Sequence, residues 1–204
     1  IKNPLSTIGL NAQLLAESLR DLTPADEAQA AERDRLIKRT DTLRREADRL
    51  RDILTDFLRF AGEMKLDPAP ADLNAVVEEL ADFYLPQAEH VGVMLRTQLR
   101  PGPMPVHLDT PHFKQALLNL LINATQAMEA QPPGATRELI LRTCEAQRTG
   151  EPSWEVHVTD TGPGIDPQRL GRIFTPYFTT KSGGSGLGLP TTKRIIEAHD
   201  GHIT

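Results

Sequence analysis

The residues best placed to do chemistry in this chain are two asparagines, one aspartate and a set of glycines. Asn119 and Asn123 stand four residues apart in "PHFKQALLNLLINATQAM", an amphipathic helical pattern, so both amides fall on one helix face. A neutral amide oxygen can ligate a hard cation, although a lone pair of asparagines more often bonds to nearby backbone. Further on, "DTGPGI" follows a strand-like run directly. Asp160, at that strand's end, can accept a hydrogen bond from an exocyclic amine, and Gly162 and Gly164 let backbone approach a flat ring. Taken alone, these residues make an ordinary turn. The third segment is "GGSGLGLP", where Gly183, Gly184, Gly186 and Gly188 lead into a helical pattern with Pro190 near its start. Glycine-rich backbone joined to a helix N-terminus favours an anion such as phosphate. No strand leads straight into it, so it is not the phosphate loop of the doubly wound folds.

Two grammars position these segments. In the first third, Leu5, Ile8, Ala12, Leu15, Leu19 and Leu22 alternate at spacings of three and four. After a break at "TPADE", the alternation resumes with Leu36, Thr40, Leu43, Ala47, Leu50, Leu54, Phe57 and Ala61. The spacing predicts a helical hairpin. Two helices sharing one narrow stripe cannot bury it alone, so a dimeric four-helix bundle is expected. Asp34–Lys38 and Asp41–Arg45 are spaced as i,i+4 pairs on its charged face. "KLDPAPADL" then ends the hairpin with two prolines, and helix and strand signals alternate from there. "LNAVVEELADFYLPQAEH" reads as a helix, and "VMLRTQLR", "RELILRTCEAQ" and "SWEVHVTD" read as strands. "PTTKRIIEAH" reads as a last helix and "DGHIT" as the start of another strand. The fold class that follows is an α-helical hairpin over residues 1–66, then an α/β sandwich over 67–204.

Composition narrows the function. The net charge is −5, all of it carried beyond residue 66, and aromatic residues make up only 4%. A nucleic-acid partner is therefore not expected. Cys144 is the single cysteine, which excludes an internal disulfide and fits a reducing compartment. No run is long and apolar enough to span a membrane.

In this order and spacing, the three glycine and asparagine segments resemble the nucleotide-binding boxes of the GHKL superfamily. That ATP-binding fold is shared by sensor histidine kinases, gyrase-type ATPases and related chaperones. "NLLINA" is similar to the asparagine box, and "DTGPGI" and "GGSGLGLP" to the two glycine boxes. "IFTPYFTTK" is similar to the phenylalanine box, with Phe174 and Phe178 anchoring the base of a mobile lid. The resemblance implies ATP and Mg²⁺ as cofactors. Asn123 would be the metal ligand, and Asp160, with Gly162, Gly164 and Ile165, would receive the adenine. Gly184, Ser185, Gly186, Leu187, Gly188 and Leu189 would hold the phosphates. Phe174, Thr179, Thr180 and Lys181 would line the lid, with Lys181 and Thr180 near the γ-phosphate or the acceptor helix.

The opening "IKNPLS" resembles the downstream half of the phosphoacceptor motif of histidine kinases, and the heptads resemble their dimerisation hairpin. The short "FTTKSGGSGLGLP" stretch is similar to the nitrogen-regulation-type subgroup. Gyrase-type ATPases place a glutamate where Asn119 stands. An amide cannot act as a base at neutral pH, so futile hydrolysis is suppressed and the γ-phosphoryl is left for another acceptor. The implied reaction is phosphoryl transfer from Mg·ATP to a histidine, then to an aspartate of a response-regulator receiver domain, with Asn119 and Lys181 as catalytic residues. Asn3 would orient water for partner dephosphorylation, and Pro4 would kink the helix. The six histidines (His90, His107, His112, His157, His199 and His202) all lie outside the hairpin pattern. The phosphoacceptor and its acidic neighbour are therefore expected just before Ile1, and closing strands of the ATP domain after "GHIT". The expected location is cytoplasmic, as part of a sensor whose upstream region can be membrane-anchored. The alternatives are a non-catalytic dimeric docking module gated by nucleotide, and another GHKL-type ATPase.

Overall fold

The computed structural model describes residues 4–62, 64–132, 134–148, 151–181 and 184–204. The chain divides into two compact units: Ile1–Gly62 with Thr180–Ser185, and Glu63–Thr179 with Gly186–Thr204. The first is built from helices α1 (Pro4–Asp21) and α2 (Glu27–Ala61), which run as a hairpin. Asp26 caps α2 by accepting from the Gln29 amide at 2.8 Å, and the Gln29 side chain reaches back to the Ala25 amide at 3.1 Å. Small residues make the contact between the two helices: Gly9, Ala12, Ala16, Thr40 and Ala47 are buried. The large apolar residues of the same repeat are not. Ile8, Leu15, Leu43 and Leu50 stay 50–58% exposed. The repeat therefore splits into an inner seam of small side chains and an outer stripe of large ones. The expected i,i+4 ion pairs also give way. Asp34 pairs with its neighbour Arg33 at 3.0 Å, and Asp41 with Arg20 of α1 at 3.3 Å, because the hairpin brings α1 within reach.

The second unit has five strands and four helices among its described residues. Strands β2 (Met94–Gln98) and β4 (Glu138–Arg148) pair in parallel, and β4 pairs antiparallel with β5 (Glu151–Asp160). A second, two-stranded sheet joins β1 (Ala69–Asp72) to β3 (Pro105–Leu108). Neither short strand is legible in the sequence, because "DPAPADL" reads as a linker. Two prolines fit here because a two-stranded ribbon consists of edge strands, where a missing ladder donor is tolerated. Helices α3 (Leu73–His90) and α4 (Thr110–Glu129) cover the larger sheet. Val77, Leu80, Tyr84, Leu117, Leu121, Met128, Leu139 and Leu141 form the core between them. The Tyr84 hydroxyl, buried in that core, donates to Thr125 Oγ1 at 2.9 Å. A short α5 (Pro167–Leu170) and α6 (Gly188–Ala198) complete the unit.

The strand expected at "DGHIT" is absent. Asp200 takes a left-handed conformation (φ 58°) and the Gly201 amide returns to the Ile196 carbonyl at 2.9 Å, a Schellman-type helix stop with aspartate in the left-handed position. Residues 201–204 follow without regular structure, having no paired neighbour among the described residues.

Asp109 ties the start of α4 to its surroundings. Its buried carboxylate accepts from the Asp67 amide (2.8 Å) and the His112 amide (3.1 Å), and lies 2.9 Å from His112 Nδ1. Its own N–H donates to His199 Nε2 at 3.0 Å, which makes that imidazole neutral, with Nδ1–H donating to the Ile195 carbonyl. Burial raises the Asp109 pKa, but the two amide hydrogen bonds and His112 outweigh it and hold it at about 2, below the usual 3.8. Because the folded pKa is depressed, the stabilisation is complete above about pH 4 and fades as pH falls through 2. Its size is on the order of 1–2 kcal/mol. Asp109→Ala should lower stability by about 2 kcal/mol at pH 7, measured by urea unfolding. The difference from wild type should shrink at pH 2–3.

Candidate functional site

Helix α4 carries the site as a stripe. Asn119, Asn123 and Ala127 follow one another at intervals of four, which spreads them over about 12 Å of one helix face. The Asn119 amide donates to the Gly188 carbonyl (3.3 Å) and lies 3.5 Å from Thr192 Oγ1, both on α6. Thr192 is wholly buried, and its hydroxyl donates to the Ala116 carbonyl at 3.3 Å. One turn on, Asn123 faces Gly188: a Cβ on that glycine would sit 3.8 Å from Asn123 Nδ2. One turn further, Ala127 meets Gly162, whose Cβ would come within 3.4 Å of Ala127 Cβ. The two asparagines and both glycine segments thus converge on one helix face.

The aspartate turn is built to hold a carboxylate in place. The Gly162 amide donates to Asp160 Oδ1 at 2.7 Å, and a Cβ at Gly162 would stand 2.5 Å from that oxygen. Only glycine allows the bond and the close approach together. Thr161 pins the turn. Its hydroxyl donates to the Thr136 carbonyl (2.7 Å) and accepts from the Glu138 amide (2.9 Å), while Gln131 Nε2 donates to its carbonyl (2.7 Å). The Asp160 side chain is exposed, as is Ile165, and Gly164 is left-handed (φ 74°) with open space around it. The result is an accessible carboxylate beside an apolar side chain at the end of β5.

The second glycine segment forms a pinch. Gly186 is left-handed (φ 67°), and its Cβ would fall 2.6 Å from the Tyr177 carbonyl carbon. Tyr177 is itself left-handed (φ 64°) and donates its amide to the Gly186 carbonyl at 3.0 Å. The chain therefore leaves at residue 177 and returns at 186 through one backbone contact. Phe174 and Phe178, both partly buried, flank that point, with Lys193 over the first ring (5.7 Å to the centroid) and Arg172 over the second (4.6 Å). Past Gly186, the buried Leu187 precedes α6 without any side-chain cap, so the first helical amides, at Gly188 and Leu189, are presented by glycine-rich backbone. The helix begins at Gly188, two residues before Pro190.

The unit built from β1–β5 and α3–α6 holds Asn119, Asn123, Asp160, Gly162, Gly164, Ile165, Phe174, Thr179, Gly186, Leu187, Gly188 and Leu189 together. Thr180, Lys181, Gly184 and Ser185 fall instead in the segment grouped with the helical hairpin. There the Gly184 amide donates to the Lys181 carbonyl at 3.3 Å, and desolvation lowers the Lys181 pKa from its ordinary 10.5. Asn3 and Gly183 lie outside the described residues. Ala127, Thr161 and Thr192 complete the site and are not singled out by sequence. Only Ala127 leaves a signal, its spacing of four from Asn123.

The chain is also similar to known proteins. Residues 108–204 match the model of the histidine kinase-, DNA gyrase B- and HSP90-like ATPases. Over its whole length the chain is 34% identical to sensor histidine kinase ZraS of Klebsiella oxytoca, and it covers 40% of that protein. It is 31% identical to nitrogen regulation protein NtrY of Azorhizobium caulinodans and covers 25% of it. The full-length structure of ShkA in complex with AMPPNP superposes over 96% of this chain and 38% of that one, at 28% identity and a TM-score of 0.64. The chain thus spans less than half the length of these relatives. Residues 108–204, just under half of the chain, are the part that is similar to the histidine kinase-, DNA gyrase B- and HSP90-like ATPases.

Proposed function

We propose that this chain is the catalytic core of a sensor histidine kinase of the nitrogen-regulation type. It binds Mg·ATP and passes the γ-phosphoryl to a histidine of the helical hairpin, and then to an aspartate of a response regulator. The observation that carries this reading is the Asn119–Asn123–Ala127 stripe, which gathers a fixed carboxylate, two glycine turns and an uncapped helix start on one face. Asp160 fits the exocyclic amine of adenine, with Ile165 against the ring. The first turn of α6 fits phosphate oxygens, since its amides and dipole favour negative charge. A single neutral amide, Asn123, suits a Mg²⁺ that reaches the site already bound to phosphates and water. The metal would supply charge neutralisation on the phosphates, while the residues of the chain orient the nucleotide.

With an amide at position 119, no carboxylate base stands beside Asn123 on α4 to activate water. Positioning and charge neutralisation then favour transfer to an acceptor over hydrolysis. Lys181 is proposed as a further positive charge for the γ-phosphate, and Asn3 as the water-orienting amide for dephosphorylation. The working location is the cytoplasm; among the described residues no helix is long and apolar enough to cross a membrane.

The hairpin's exposed stripe supports a homodimer. Residues such as Leu15, Leu43 and Leu50, about half exposed, would each contribute about 1–1.5 kcal/mol as their remaining surface is buried, which two copies packing into a four-helix bundle would realise.

Radiolabelled γ-phosphate should appear in the full-length protein as an acid-labile, base-stable adduct. Tight ATP binding with no label would favour a nucleotide-gated docking module instead. Asn123→Ala should remove at least a tenfold Mg²⁺-dependent gain in ATP affinity, on the order of 1.4 kcal/mol, and leave Mg²⁺-free binding nearly unchanged by calorimetry. Gly186→Ala should weaken ATP binding and lower stability by more than about 1 kcal/mol, since its Cβ would strike the Tyr177 backbone. Gly171→Ala, facing open space, should be neutral. Leu43→Glu combined with Leu50→Glu should convert dimer to monomer in sedimentation.

A further inference from the structure

The larger sheet has two faces. Leu139, Leu141 and Thr143 of β4, with Val156 and Val158 of β5, point into the core. The alternate residues Arg142, Cys144, Glu155 and His157 therefore share the outer face. Antiparallel register places Cys144 directly opposite Glu155, with His157 two residues further along β5. Three donor atoms of different chemistry meet there. Cys144 Sγ lies 3.4 Å from His157 Nε2, His157 Nε2 lies 3.0 Å from Glu155 Oε2, and Sγ lies 4.0 Å from that same oxygen.

A zinc-like ion bound tetrahedrally at ordinary bond lengths separates such donors by about 3.4–3.6 Å. The three observed separations bracket that range within about half an ångström, a mismatch small rotations of exposed side chains remove. All three donor atoms lie within 4.0 Å of one another, close enough for one cation to meet a lone pair from each. Charge balances as well. A thiolate and a carboxylate neutralise a dication, so Arg142, opposite His157 in register, meets no net positive charge. The mixed sulfur, nitrogen and oxygen set suits a late first-row divalent ion rather than Mg²⁺ or Ca²⁺. His157 and Glu155 are each about half exposed, which leaves the fourth position to water.

We propose that Cys144, Glu155 and His157 form a surface binding site for a zinc-class divalent cation, on the face of the sheet opposite α4. Binding replaces the S–H bond with a metal–sulfur bond and releases that proton to solvent, so affinity rises with pH. The ion would clamp the β4–β5 hairpin, whose β5 ends at Asp160.

The test is titration of the metal-stripped, reduced chain with Co²⁺, followed by Zn²⁺ displacement. One equivalent of Co²⁺ should produce a thiolate-to-cobalt charge-transfer band, which Zn²⁺ then abolishes. Cys144→Ser should eliminate the band. Glu155→Gln and His157→Ala should each weaken binding by roughly tenfold or more. His90→Ala, an exposed histidine elsewhere, should leave affinity unchanged. Circular dichroism of each variant checks that the sheet is intact. Absence of the band in the wild-type chain, or a band indifferent to Glu155→Gln and His157→Ala, would overturn the assignment.

Discussion

The crossing of α6 over α4 is the contact on which the candidate site depends. A wholly buried hydroxyl, Thr192, bonds to the Ala116 carbonyl, and the Asn119 amide reaches the Gly188 carbonyl beside it. Leaving either polar group buried and unmet would cost about 1–3 kcal/mol, so the crossing has a fixed register rather than a range of sliding positions. That register sets the first turn of α6 against Asn123. Because α4 is rigid, the same geometry is carried two turns along to Ala127 and the Gly162 turn. Asp109 and His199 then lock the far ends of the two helices, through the Asp109 N–H and the imidazole that accepts it.

Glycine is used at the site for two separate physical reasons. Gly162 and Gly186 are places where any side chain would collide, with the Asp160 carboxylate in one case and the Tyr177 backbone in the other. Gly164 and Gly186 are places where the backbone is left-handed. Among the described glycines of the site, only Gly186 combines both demands. That combination makes it the point where the loop opening at Tyr177 must close.

The two units bury apolar surface in opposite styles. The hairpin packs Gly9, Ala12, Ala16 and Ala47 inward and leaves leucines outside, whereas the second unit encloses Leu117, Leu121, Leu139 and Leu141 completely. A heptad pattern cannot distinguish an inner seam from an outer stripe by hydrophobicity, since both are apolar at the same spacing. Side-chain size is the distinguishing feature, and it acts only when a second helix approaches.

The local features of the site were legible from the chain alone. Asn119 and Asn123 share a face because helical periodicity is a property of the backbone, and "DTGPGI" and "GGSGLGLP" are recognisable because glycine answers short-range steric demands. The paired β1 and β3 strands, the Thr161 clasp and the contact of Ala127 with Gly162 were not. Each joins residues far apart in sequence, and no local spacing encodes such a pairing. The cluster of Cys144, Glu155 and His157 belongs to the same class, being fixed by the register of β4 on β5. The sequence by itself determined which residues have the right chemistry and which helix face carries the asparagines. Tertiary structure alone decided which of them meet, because strand register and helix crossing are set by long-range packing and by the need to satisfy buried polar groups.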